Sequence, residues 1–489
     1  MKLSNFLKDI FEIPAKLDAK IKGLALDSRH LKKGNLFFAC KGTQQDGRQF
    51  IADAIAKGAS AILAESDSDN FSSQIIDEVP VINIPHLNHR VGEMAAEYFG
   101  HPAKKLRIIG ITGTNGKTSC AYFLASALQQ LNIPCGVIGT LGSGMYGDIK
   151  SGSLTTPDPI TLQATFADFV EQGATVVAME VSSHSIDQGR INGIPFEVAI
   201  FTNLTRDHLD YHGDMEAYGE VKSRLFNNSL LQHSVINADD PFGLKLISTL
   251  KSSKNIHAYS INKDAQTIVP GTYADEIHLD ISGLRAQIHT PWGFGSLHAS
   301  VIGQFNLSNI LAVVTTLCLL DFPLQKVLQA LSELKSVPGR MQTLGGAEKP
   351  LVVIDYAHTP DALEKVLLAL KEHCQGQLHC LFGCGGDRDK GKRPIMAKIA
   401  EQLADTVVVT DDNPRHEDPV QIVADIMRGF DNPAKITMQH DRLKAIKEII
   451  QRASPGDCVL IAGKGAETFQ QIKDKKLPFD DFKVAQQFL

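Results

Sequence analysis

The sequence is short of net charge, of cysteine and of long unbroken apolar runs. Its 49 basic and 55 acidic residues leave a formal charge of −6 over 489 residues, so no global field draws it to nucleic acid or to an anionic membrane. Any anionic ligand must be held by local groups. Eight cysteines in a chain of this length do not make a disulfide framework. Cys374, Cys380 and Cys384, with His373 and His379, lack C-x-x-C pairing and fall around an expected buried strand, which favours core thiols over zinc. The opening, Met1 to Asp9, is interrupted by charge before a signal-peptide core forms, and the most apolar later run, 310–320, is too short to span a bilayer. A cytoplasmic monomer with no membrane insertion is expected.

What is present is an ordinary globular composition, 43% hydrophobic and 21% charged, in a chain longer than one core usually organises. Two to four domains are expected. The most informative stretch runs from Arg107 to Ser119. Ile108 to Ile111 reads as a strand, Gly113-Thr114-Asn115-Gly116-Lys117-Thr118-Ser119 as a loop of small residues, and Cys120 to Leu128 as the helix that follows. That order makes a phosphate cradle: glycines let backbone N–H groups converge on an anion, the helix N-terminus adds positive potential, Lys117 reaches the outer phosphates and the Thr118 hydroxyl suits Mg²⁺. The ligand is expected to be ATP or GTP, although Ile111 stands where G-x-x-x-x-G-K-S/T has its first glycine.

Before this stretch, 21–84 alternates short strands with a helix, as a small α/β domain does. Its loops carry Asp27-Ser28-Arg29 and Lys41 to Arg48, at strand ends where open sheets bind ligands, though simple turns explain them equally well. A polar, proline-marked segment at His101 to Lys105 sets the first boundary. After the loop, the hydroxyl-rich stretch Ser153 to Asp158, with Thr155 and Thr156, either caps a helix from Thr161 onward or suits a sugar or phosphate. An apolar strand, 174–179, ends in Glu180, with Ser182, Gln188 and Arg190 following; a carboxylate so placed needs a partner, and Glu180 is a metal-ligand candidate.

His208 and His212 stand four apart, but Leu209 occupies the place of a general base and Gly213 stops the helix, so a zinc-protease helix is not expected. Lys222 reads as an exposed helical lysine. Asn306 either caps an apolar helix or contacts adenine or phosphate. Ser336 to Met341 marks a second boundary. Beyond it, strands at 351–354, 378–382, 406–410 and 458–462 each deliver a polar loop: Asp355 to Pro360, Gly383 to Arg393, Asp411 to Arg415, and Gly463 to Glu467. This alternation describes a doubly wound domain with all four loops at one carboxyl edge. The Gly383 loop lacks G-x-G-x-x-G spacing and is too charged for a dinucleotide turn; these loops look built for an ionised substrate.

Taken together, Thr-Gly-Thr-Asn-Gly-Lys-Thr, Glu-Val-Ser-Ser-His, Asp-His-Leu-Asp-Tyr-His, Asp-Tyr-Ala-His-Thr-Pro-Asp, Gly-Gly-Asp-Arg-Asp and Asp-Asn-Pro-Arg resemble, in order and placement, the Mur ligase family, and within it the ligases that add the third amino acid. The resemblance implies an α/β protein of three domains: a small UDP-sugar-binding domain at 1–102, a central P-loop ATPase domain with a mostly parallel sheet at 103–336, and a Rossmann-like doubly wound amino-acid-binding domain at 337–489. It implies an ATP-dependent amide ligase that adds meso-diaminopimelate to a UDP-muramoyl dipeptide through an acyl phosphate.

Carried over by resemblance, Leu26, Ser28, Thr43, Gln44, Gln45, Thr155, Thr156, Ser182, Gln188 and Arg190 hold the nucleotide-sugar peptide. The phosphate loop, Asn306, Arg340, Asp355 and His358 hold ATP. Lys117, Glu180, His208 and Lys222 are catalytic, with Thr118, Glu180, His208 and a carbamylated Lys222 as ligands for two Mg²⁺ ions. Arg388, Asp412, Asn413, Pro414, Arg415, Gly463 and Glu467 take diaminopimelate. Two departures stand out: Ala466 replaces a usual histidine and Ser185 a usual glycine. The competing expectations are a folylpolyglutamate-synthase-like ligase, which shares the ATPase core, and a non-catalytic nucleotide-binding module.

Overall fold

The computed structural model describes every residue except 9, 11, 43–44, 153, 251–254, 263–268 and 281–282. Thr43, Gln44 and Ser153 therefore lie outside the described residues. The chain folds into two units, and passes from the first to the second just after Gly110.

The first unit holds a five-stranded sheet in the order Gly23–Ala25, Asn35–Ala39, Ala61–Ser66, Val79–Pro85, Ser72–Ile76, parallel except at its last, antiparallel pair. Its inner strands are apolar on both faces because both are covered. Leu36, Phe38 and Leu63 enter one core, while Phe37, Ile62 and Ala64 enter the other, as a side-chain period of two requires. The helix Leu87–Tyr98 buries Leu87, Val91, Met94 and Ala95, one stripe at helical spacing. Glu65, at the end of the middle strand, accepts from the N–H groups of Leu87 and Asn88 at 2.9 Å each. A second part of this unit pairs Val176–Glu180 parallel to Cys135–Gly139, which continues antiparallel to Gly142–Met145 and Asp148–Lys150. The expected cap at the end of the Ser153 to Asp158 stretch is Asp158, which caps the helix Pro159–Glu171.

In the second unit, strands reaching Phe201, His233–Asn237, Asn255–Ser260 and Gly271–Asp280 run parallel, and Gly271–Asp280, Gly283–Thr290 and Gly293–Ala299 form an antiparallel meander. The helix Gln304–Leu319 is buried on all sides and packs on Lys117–Gln130. Gly303 is its N-cap, so Asn306 lies inside the first turn rather than capping it.

A separate six-stranded sheet follows, in the order Gln342–Gly345, Leu351–Asp355, Cys458–Ala462, Leu378–Phe382, Thr406–Val409, Thr437–Met438. All pairs after the first are parallel, with apolar cores on both faces. The four polar loops expected at one carboxyl edge are there, because the four central strands share a direction.

Candidate active site

The strand Arg107–Thr112 delivers the loop, and the helix Lys117–Gln130 leaves it. Two glycines are obligatory here. Gly113 has φ 144° and Gly116 φ 87°; a Cβ on the first would overlap the Thr202 hydroxyl, and one on the second would meet Asn309 Oδ1 at 2.5 Å. Asn203 and Thr205 brace the loop from another strand end. Thr114 N donates to Asn203 O at 2.9 Å, Asn115 N to Asn203 Oδ1 at 2.9 Å, and Thr205 N to Thr114 Oγ1 at 3.0 Å. Sequence reasoning missed Asn203, Thr205 and Asn309.

Lys117 folds over its own loop, its Nζ donating to Gly113 O at 2.9 Å and Thr114 O at 2.8 Å. Lys222 also donates to Gly113 O, at 2.8 Å. The expectation of an exposed Lys222 is wrong: it is 1% exposed. Its helix, Met215–Ser223, is capped by Asp214, and Tyr218, Val221, Lys222 and Leu225 fall at i, i+3, i+4 and i+7 on the buried stripe. Lys222 Nζ lies 4.5 Å from the centre of the Tyr218 ring. Burial above all, then the charge of Lys117, pushes its amine well below the usual lysine value, with Asp207 opposing.

Asp207 is buried. Desolvation works against its charge, yet His358, His208 and Lys392 hold it well below the carboxylate range. Its Oδ2 is 3.4 Å from His208 Nε2 and 3.6 Å from His358 Nε2. Arg340 stacks over Tyr356 at 4.3 Å and donates to Thr118 Oγ1 at 3.3 Å, while burial pushes the Asp355 carboxyl up as it accepts from Met341 N at 2.7 Å. Ser119, Phe123, Ile302, Asn306, Val337 and Arg340 line a shallow recess beside the loop. In it, Asn306 Nδ2 donates to Ile302 O at 2.8 Å.

At the carboxyl edge of the six-stranded sheet, Asp412, Asn413, Gly463 and Glu467 come together. Asn413 Nδ2 donates to Glu467 Oε2 at 2.7 Å, and a Cβ on Gly463, at φ 111°, would lie 3.1 Å from Asp412 Oδ2. Arg415 adopts φ 51° and donates to Gly386 O at 2.7 Å. Burial and the neighbouring Arg388 lower its pKa. Arg388 is exposed. Lys464, which sequence reasoning passed over, is buried among these groups.

The first unit gathers a third cluster. Glu180 is 1% exposed; its two oxygens accept from Thr140 N at 2.9 Å and Thr140 Oγ1 at 3.0 Å. Thr140 and Thr155 share a hydroxyl bond of 3.2 Å. Thr156 donates to Glu180 O at 2.9 Å and accepts from Ser182 N at 3.1 Å. Arg190 donates to Thr156 O at 2.8 Å and Gln188 Oε1 at 3.0 Å. Ser185 fits an ordinary helix, Ser183–Asp187, its hydroxyl donating to Ser182 O at 2.7 Å. Leu26, Ser28 and Gln45 belong to the loops of the five-stranded sheet, with Ser28 O accepting from Lys57 at 3.0 Å. Among the described residues no three His, Cys, Asp or Glu side chains gather as a metal cluster, the cysteine–histidine run of 374–384 included, and no helix is long and apolar enough to cross a membrane.

A phosphate loop crowded by two lysines, in one unit with a doubly wound sheet whose edge carries both acids and guanidinium groups, defines a nucleotide-dependent enzyme acting on an ionised small molecule. Family models agree: the Mur ligase family catalytic domain matches 20–99, the Mur ligase middle domain 111–317, and the Mur ligase glutamate ligase domain 339–465. The chain belongs to the Mur ligase family. It is similar to the UDP-N-acetylmuramoyl-L-alanyl-D-glutamate–2,6-diaminopimelate ligase of Coxiella burnetii, 49% identical over 472 residues and 96% of each chain. A solved structure of a ligase of that name is 36% identical with a TM-score of 0.71, covering 100% of this chain and 98% of the other. Mycobacterium tuberculosis folylpolyglutamate synthase shares the fold at 18% identity and a TM-score of 0.64, over 77% of this chain and 92% of its own.

Proposed function

We propose that this protein joins meso-diaminopimelate to the glutamyl γ-carboxylate of UDP-N-acetylmuramoyl-L-alanyl-D-glutamate, with ATP as the energy source, in peptidoglycan precursor synthesis. The observation that carries it is the convergence of the Lys117 and Lys222 amines on Gly113 O, in one unit with a loop edge that offers carboxylates and guanidinium groups to a zwitterion. In this reading the enzyme is a cytoplasmic monomer acting on small molecules alone. The curated relative's name and near-full-length identity favour it over a folylpolyglutamate-synthase-like ligase.

A carboxylate is a poor electrophile at neutral pH. A γ-carboxylate oxygen attacks the γ-phosphorus of ATP, the bond to the β-phosphate oxygen breaks, and ADP leaves. The free amine then adds to the acyl carbon, loses a proton, and phosphate departs as the amide forms. Lys117 opposes the repulsion between the two anions of the first step. The recess lined by Phe123, Ile302, Asn306 and Arg340 is the proposed place of the nucleotide. Thr155, Thr156, Ser182, Gln188 and Arg190 hold the nucleotide-sugar peptide, together with Leu26, Ser28 and Thr43 to Gln45.

Hydroxyl, carboxylate and carbamate oxygens are the kind of donor Mg²⁺ takes, a few at a time, with waters completing its shell. The Thr118 hydroxyl stands at the helix head, Glu180 is a carboxylate met by neutral Thr140 donors, and His208 and a carbamate on Lys222 complete the proposed ligands. Mg²⁺ held by such groups would supply charge neutralisation for the transferred phosphoryl group. The test places ¹⁸O in the γ-carboxylate: the liberated phosphate carries the label if an acyl phosphate forms, and unlabelled phosphate ends the proposal.

A further inference from the structure

Lys464 follows a buried strand, Cys458–Ala462, and is itself 0% exposed. Its Nζ donates to Glu467 Oε2 at 3.0 Å and to Asn413 Oδ1 at 3.1 Å, and lies 3.6 Å from Asp412 Oδ1. The Asn413 amide donates to the same Glu467 Oε2. Glu467 Oε2 is therefore filled by two donors, whereas Oε1 receives none among the described residues. Asp412 Oδ1 is buried without a hydrogen-bond partner, and the Lys464 ammonium at 3.6 Å supplies its counter-charge. Within this cluster the Lys464 ammonium is the only cation in hydrogen-bond contact with Glu467 among the described residues, while Arg415 acts on Asp412 and Glu467 through charge alone.

We propose that Lys464 is a positioning residue for the incoming amino acid: it locks Glu467 Oε2 and the Asn413 amide so that Glu467 Oε1 is presented to a substrate ammonium. Arg415, on the adjoining loop, is left for the carboxylate end. The inference deepens the proposed ligase reaction and rests on it for the identity of the amino acid. Geometry argues against a lysine that merely fills space. An apolar side chain of similar volume would bury with less desolvation cost, but would release Glu467 to rotate and leave Asp412 and Glu467 without the ammonium that pairs with both.

The test is steady-state ADP release by the full chain, with each substrate varied in turn, for wild type, K464M, E467Q and the double variant. K464M is expected to raise KM for the amino acid by about 30-fold or more, the lower end for stranding a buried charge, with KM for ATP little changed. The K464M effect should shrink in the E467Q background, because Lys464 acts through Glu467. An undiminished effect in that background, or an equal rise in KM for ATP, overturns the proposal. If K464M does not fold, E467D draws the carboxylate back by one methylene: the same selective KM loss supports the proposal and an unchanged KM overturns it. Wild type is assayed first with meso-diaminopimelate and then with a panel of amino acids. Turnover of another amino acid alone refutes the substrate reading, and Lys464 is then tested with that amino acid.

Discussion

Lys222 Nζ sits 2.8 Å from Gly113 O, the same carbonyl that Lys117 engages at 2.9 Å. Burial first, and then the charge of Lys117, lowers the pKa of the Lys222 amine, with Asp207 opposing. A neutral amine is the form that adds to carbon dioxide: nitrogen forms the bond to carbon, one proton goes to solvent, and the product is an oxygen-donor anion. Incubation with ¹³C-bicarbonate should give a carbamate resonance in wild type that K222A lacks. K222A is expected to lose about 10²–10³ in kcat, with partial recovery on adding a short carboxylic acid. No resonance and no recovery together count against carbamylation.

Arg415 should set the choice of amine. It is held in a left-handed conformation and anchored to Gly386 O, and burial first, then the neighbouring Arg388, lowers its pKa while Asp412 and Glu467 oppose. Two such cations together are relieved by an anion, and the second carboxylate of diaminopimelate is one that a guanidinium grips bidentately. Lysine, which lacks it, is expected to be a poor substrate. R415M should lose about 2–5 kcal/mol of transition-state binding for diaminopimelate while changing turnover of lysine little; equal kcat/KM for both amines in wild type refutes the assignment.

The phosphate loop was legible because its chemistry is contiguous: two glycines that no other residue replaces, a lysine and a hydroxyl, between an apolar strand and a helix. The doubly wound sheet was legible for a similar reason, since Leu351–Asp355 and Cys458–Ala462 are unbroken apolar runs ending in polar loops. Lys222 was misread, although Tyr218, Val221 and Leu225 already drew the stripe on which it lies; a single polar residue is assigned to the solvent side by default. Asn203 and Thr205 escaped because they act on Thr114 and Asn115 from 88 to 91 residues away, a pairing that exists only once the strands are placed. Lys464 was quoted within its loop but given no role, because a lysine between two glycines looks like a turn until its burial is seen.

Stability of the six-stranded domain should depend on Arg442 and Asp481. Both side chains are fully buried, Arg442 Nε and Nη2 donate to the two Asp481 oxygens at 2.8 and 2.7 Å, and Nη2 also reaches Ala462 O at 3.0 Å. D481N leaves a desolvated guanidinium without its counter-charge, which should cost about 3–5 kcal/mol. The double change R442M/D481L removes both charges and should restore much of the melting temperature. A double variant that melts below D481N contradicts this account.

His416 should make amino-acid binding depend on pH. Its Nδ1 lies 3.1 Å from Asp387 Oδ2 and its Nε2 3.2 Å from Asp474 Oδ1, so one imidazolium clamps two loops. Arg388 follows Asp387 directly, and Arg415 precedes His416. The clamp raises the His416 pKa, through Asp387 first and then Asp474, and lowers that of Asp387, through His416. A raised histidine contributes fully below its unfolded value and loses that contribution as pH rises through the folded one; the lowered carboxylate contributes above its unfolded value and loses it as pH falls through the folded one. The clamp is therefore closed at mildly acidic pH and opens on the alkaline side of the histidine range. KM for the amino acid should rise across that opening while KM for ATP stays level, and H416Q should flatten the rise with little change in melting temperature, since exposed pairs contribute little to stability. An identical alkaline rise in H416Q assigns the titration to another group.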